Sequence, residues 1–194
     1  MIMIRNEFLI YQAKSFYNAY IALEQINQLC DKPLMYYVPM LVNGTFSIEI
    51  TLKAILSENQ IDYGKEHNLV VLFQQLPELF QAEMLGHLFE KAPEYRDTAK
   101  CAEELILISN AFTDWRYVFE ENPAPAFDAR FLSAFANAAI WTMFSHYNVD
   151  IVPADEKTKA DEEIEEMIRK NREACKNTNL NYIQKKSKGP RTVQ

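Results

Sequence analysis

Arg116 is the residue around which chemistry could gather. It stands in FTDWRYVFEEN, residues 112–122, four positions after Phe112 and three before Phe119, so helical geometry sets it on or beside an apolar stripe. A guanidinium so placed must be paired. Glu120, one turn on, is one candidate partner. Glu49, inside the apolar run FSIEITLKAIL, is another, unless it pairs instead with Lys53 at i+4. Asn122 precedes Pro123, which pushes it out of the helical region and allows it to turn back toward Arg116.

The histidines are His67, His87 and His146. His67 opens a helix, where capping or packing is the more ordinary role and catalysis the sharper alternative. The other two lack a second His, Cys or carboxylate at metal-binding spacing, so no metal site is expected. Cys30, Cys101 and Cys175 are odd in number and far apart, which argues against a disulfide framework and for a reducing cytoplasm. Gly-rich phosphate loops, nucleophile elbows and H-E-x-x-H patterns are absent from the sequence, and no cofactor is implied. Tyr36, Tyr37, Trp115, Tyr117 and Phe119 could stack bases, although at helical spacing they read more simply as core. The basic end, Lys185 to Arg191, could touch nucleic acid or an acidic partner.

The elements that must position these residues are helices. Four glycines against seven methionines, with 48% apolar residues in 194, describe a turn-poor chain able to bury one core. A net charge of −7 argues against a chain whose main work is wrapping duplex nucleic acid, and leaves room for a local basic site. The periodicity predicts an all-α, up-and-down bundle of about five core helices over residues 1–150, followed by a charged C-terminal helix and basic tail over 151–194.

The first helix is expected over about 5–31, with Phe8, Ser15, Ala19, Ala22, Ile26 and Leu29 inward and Leu9, Phe16, Tyr20 and Leu23 widening the stripe. The second, about 35–59, carries Leu41, Thr45, Ile48, Leu52 and Ile55, with Gly44 and Ser47 allowing a close neighbour. Two shorter helices flank Pro77. A long one covers about 95–121 and a last core helix about 127–148, with Phe131, Phe135, Ala138, Ala139, Thr142 and Met143 inward. In the tail, Glu165 to Arg169 and Glu166 to Lys170 suit i,i+4 pairing. The apolar start MIMI is broken by Arg5, too short for a signal peptide, and no window reaches transmembrane length, so a cytoplasmic, membrane-free protein is expected.

Three segments resemble one family. Glu49-Ile-Thr-Leu-Lys53-Ala-Ile-Leu56, then His67-Asn68-Leu69 and Leu72, is similar to the E-x-x-L-K-A-x-L … H-[DN]-L-x-x-L pattern of HEPN-domain proteins, and Arg116-Tyr117 matches the R-Y of their later helix. The resemblance covers about residues 5–148. It implies a small helical bundle, commonly a homodimer, of the kind found in prokaryotic toxin–antitoxin, phage-defence and CRISPR systems, many of them metal-independent ribonucleases with an R-x4-6-H motif. By that resemblance Arg116 would take the arginine position, steadying the scissile phosphate with its planar fork of donors. Asn122 stands where the histidine is expected, able to orient a phosphate or a 2′-hydroxyl but not to exchange a proton near neutral pH, and Tyr117 replaces the small polar residue typical of the nucleases.

Three functions therefore compete. The first is a non-catalytic HEPN-like binding or regulatory protein, directed at RNA or a nucleotide, with Tyr117, Glu120 and Glu49 around the site. The second is a divergent ribonuclease using Arg116, Asn122 and His67. The third is a structural partner that holds another protein through its C-terminal helix.

Overall fold

The computed structural model describes residues 2–29, 34–115 and 128–147, together with positions 166, 169 and 170. Six α-helices and one 3-10 turn make up the described core, and it contains no strand. They are α1 (Ile2–Leu29), α2 (Leu34–Glu58), α3 (Leu69–Gln75), α4 (Glu78–Lys91), the 3-10 turn Pro93–Tyr95, α5 (Thr98–Trp115) and α6 (Ala129–His146). None of the described helices is long and apolar enough to cross a membrane.

α2 is the axis of the fold because it is apolar on several sides. Leu41, Ile48, Leu52 and Ile55 are fully buried, and it packs on α1, α3, α5 and α6. Its buried hydroxyls bond within the helix: Thr45 donates to Leu41 O, Ser47 to Gly44 O and Thr51 to Ser47 O. The polar atoms are thereby satisfied where no solvent reaches them. Phe16 of α1 stacks on Phe46 of α2 with ring centroids 5.3 Å apart. A methyl group added at Gly44 would lie 3.0 Å from Tyr20 Cδ2 and 3.1 Å from Leu132 Cδ2, so glycine is what lets α1, α2 and α6 meet.

Asn137 Nδ2 donates to Tyr17 Oη at 2.8 Å and Asn59 Nδ2 to Tyr147 Oη at 3.0 Å. With the closeness of Gly44 to Tyr20 and Leu132, these pairs place α6 antiparallel to α1 and parallel to α2.

The expected inner face of α6 is found as read, with Phe131, Phe135, Ala138, Ala139, Thr142 and Met143 all buried. α1 differs. Phe8 is 59% exposed and Leu29 48%, and Ser15 is exposed too, while Ile10, Ala13 and Tyr20 are buried. α1 carries apolar residues nearly all round, so its phase is decided by where α2 and α6 touch it and not by its own pattern. The fifth helix begins later than expected, because Pro93–Tyr95 forms the 3-10 turn and Asp97 then caps α5, accepting from Ala99 N and Lys100 N. Leu105 and Ile108 are buried as expected, whereas the side chains of Phe112 and Trp115 and all of Phe119 lie outside what is described.

Candidate functional site

The site is assembled by a turn, a cap and one borrowed hydroxyl. α2 ends with Gln60 in the left-handed region at φ 59°, Gln60 N bonding Ser57 O and Ile61 N bonding Leu56 O. This is the closing pattern that returns a chain sharply from a helix end, and the half-buried Ile61 packs back on the core. Gly64, at φ 55°, makes the next bend with its N–H on Asp62 Oδ1. The chain then re-enters as α3 beside α2 and α5.

Every early amide of α3 has a partner. Asn68 Oδ1 accepts from Val70 N and Val71 N, and Leu69 N donates to Ser109 Oγ of α5 at 2.9 Å. Glu66 Oε1 accepts from Asn68 N at 2.7 Å and His67 N at 2.8 Å, and these two bonds hold its carboxyl below the usual carboxylate range. The cap is thus Asn68, and His67 is released from the capping role expected of it. Asparagine carries a short acceptor that reaches the second and third amides, which imidazole does not do readily.

His67 instead faces Glu49. Its Nδ1 lies 2.9 Å from Glu49 Oε1, and the same oxygen accepts from Lys53 Nζ at 2.7 Å. Glu49 and Lys53 each expose only 12% of their side chains, while His67 exposes 74%. Lys53 Nζ also sits 5.6 Å above the Tyr63 ring. The half-buried carboxylate therefore has two partners, the Lys53 ammonium and the His67 imidazole. With Nδ1 on the carboxylate, Nε2 is the ring nitrogen left for a partner outside the pair. Beneath His67 lies a narrow cavity of about 30 Å³, reaching Thr45, Phe46, Leu69, Ile108 and Ser109. It has room for a water-sized group and no more.

Of the candidate residues, His67 and Glu49 are brought together. Arg116, Tyr117, Glu120 and Asn122 lie outside the described residues, and so does any pairing between Arg116 and Glu49 or Glu120. The alternative pairing of Glu49 with Lys53 is found, with His67 added to it. His146 Nε2 makes a second carboxylate contact, 2.6 Å from Glu83 Oε2, with its ring against Phe80. Among the described residues no three His, Cys, Asp or Glu side chains gather as a metal site. Cys101 is buried and free, and burial raises its thiol pKa. Sequence reasoning missed Ser109 and the Glu49–His67 contact. The separation of 18 positions across a loop carries no period, and the only signal was a carboxylate in an apolar run awaiting partners.

No family model, no curated protein and no solved structure matches the chain.

Proposed function

We propose that this chain is a HEPN-like helical module that binds RNA or a nucleotide in a regulatory role, without the standard arginine–histidine dyad, as a homodimer in a prokaryotic stress or phage-defence setting. The supporting observation is the contact between Glu49 and His67. It joins the two halves of the motif on which the resemblance rests, and Leu69 of the second half is tied to Ser109 on α5, the helix that leads to Arg116-Tyr117. Arg116 supplies the phosphate contact in this reading and Tyr117 a stacking face. Mixed RNA incubated with the full-length protein should be retained but left intact, with retention about tenfold weaker in Arg116→Ala, as befits the loss of a charge-assisted pair. RNA cleaved by the native protein and left whole by Arg116→Ala would sink this reading.

One observation favours the second reading, a metal-independent ribonuclease. His67, oriented by Glu49 and presenting Nε2 outward, has the arrangement of a general acid or base held by a carboxylate. It is the proton carrier that Asn122 cannot be. Cleavage lost in His67→Ala and Glu49→Gln, with RNA retention kept, would establish it.

A further inference from the structure

α6 has a second face. Arg130, Ala134, Asn137 and Trp141 recur on it at steps of four and three, and it floors a cleft of about 540 Å³ between α1 on one side and the end of α4 on the other. Trp141, one turn beyond Asn137, is 50% exposed. From Arg130 to Asn137 the floor of the cleft runs about 10 Å at 1.5 Å per residue, room for about two turns of a helix. Ala134 and its small neighbours leave depth for bulky side chains, and Glu24, Lys91 and Glu94 stand on the walls, with Glu94 3.6 Å from Arg130.

The chain itself carries a matching ridge. Positions 166, 169 and 170 are helical, and Glu166 accepts from Arg169 Nε at 2.9 Å and Nη2 at 2.7 Å, with Lys170 Nζ 3.5 Å away. These three side chains share one side of a helix and point their charges into water. In the sequence, Ile164, Met167 and Ile168 stand at the spacing that a continuous helix would carry on the opposite side. A charged face turned to solvent leaves the apolar one to be covered. The connection 148–163 starts at the end of α6 and can reach about 50 Å when extended, ample to turn back along the same helix.

We propose that segment 160–171 of this same chain folds back into the α6 cleft, laying Ile164, Met167 and Ile168 over Ala134, Asn137 and Trp141. The return rests on reach and on the apolar spacing of the segment, since the charges of the cleft, Glu24 and Glu94 with Lys91 and Arg130, balance. The proposal stands apart from the RNA reading, since the cleft lies on α6, and neither Glu49 nor His67 lines it. It assigns the C-terminal segment a site on its own bundle, in place of an outside protein.

The test uses the full chain with Cys30→Ser, Cys101→Ala and Cys175→Ser. Ala134→Cys is combined in turn with a cysteine at Ile164, Met167, Ile168 or Asn171, and, as the outward control, at Lys170. Mild oxidation should close an intramolecular disulfide with at least one of the four inward positions and not with Lys170→Cys. Failure at all four, equal closure by the control, or disulfide-linked dimers showing a second copy in the cleft would each overturn the proposal. A second measurement needs no cysteine. Ile168→Glu in the otherwise native chain should shift tryptophan emission to the red, and that shift should vanish in a Trp141→Phe background. Unchanged emission would count against it as firmly as missing cross-links.

Discussion

At the corner where the 3-10 turn meets α6, a buried phenol organises the charges around it; at the corner where α2 meets α3, a half-buried carboxylate does. Tyr95 is fully buried, its ring edge-on to Phe131 at 4.9 Å and its hydroxyl donating to Asp128 Oδ2 at 2.7 Å. Asp128 N donates to Glu104 Oε2, and Asp128 Oδ1 caps α6 through Arg130 N. Arg130 returns to Asp128 and Glu94, and Lys100 covers the Tyr95 ring. That network closes on itself: each donor serves an element joint, and Tyr95 is held protonated by burial and by its acceptor. The Glu49 corner is closed below, through Lys53, and open above, through His67. The difference separates a set of polar groups that fixes three elements from one that fixes two and still presents a ring nitrogen to solvent.

Tyr95 is the position at which this network breaks most severely. Tyr95→Ala removes a fully buried ring between α6 and the turn, and should cost about 3–5 kcal/mol, the range for large aromatic-to-alanine changes, measured by urea denaturation. A loss of about 1 kcal/mol or less would mean that the corner collapses around the gap and is no keystone.

Asp128 comes next. Burial favours its neutral form, but the Tyr95 hydroxyl together with the amide and guanidinium of Arg130 outweighs this and holds its pKa below the usual value. A depressed carboxylate contributes stability that is complete above its ordinary titration range, near pH 4, and lost as pH falls through its lower folded value. Asp128→Ala should therefore cost about 1–2 kcal/mol at neutral pH, as loss of a helix cap does, and should flatten the fall of stability below about pH 4. Parallel acid profiles for native and variant would show that Asp128 is not the group responsible.

How much of this was legible beforehand differs between the corners. The inner faces of α2 and α6 could be read from period alone, because Leu41, Ile48, Phe131 and Phe135 recur on helices with one dominant apolar side. α1 misled, since Phe8 and Leu29 continue an apolar pattern that no neighbour covers among the described elements. Glu49 could be flagged by its apolar surroundings, and Lys53 by its i+4 spacing. His67 as their third member could not, because the loop from Asn59 to Asn68 sets the distance and loops carry no period. Tyr95, Asp128 and Glu104 were invisible for the same reason: each belongs to a different element, and only packing brings them together.

At the α2–α3 corner the effects shrink. Asn68→Ala strips two amides of their acceptor and should cost about 1 kcal/mol, read by thermal or urea melting. Its loss sharpens the contrast, since it weakens the joint without touching the exposed imidazole. If Asn68→Ala left stability unchanged while His67→Ala did not, the assignment of the cap would be reversed.

His67→Ala is the smallest change in stability and the most informative in function. The pair it breaks exposes 74% of the imidazole side chain, and exposed ion pairs contribute little, so unfolding should move by no more than about 0.5 kcal/mol. Glu49 keeps Lys53, so no buried charge is stranded. If His67 is only a latch on the loop, RNA retention and any cleavage should follow the small stability change. If its outward nitrogen serves a ligand, retention or cleavage should fall by about tenfold or more with the fold intact, more than a loosened surface pair can explain. His67→Gln then divides the remaining cases, because glutamine supplies a donor without a titrating proton: it should restore binding if Nε2 only donates a hydrogen bond, and fail to restore cleavage if Nε2 carries the proton.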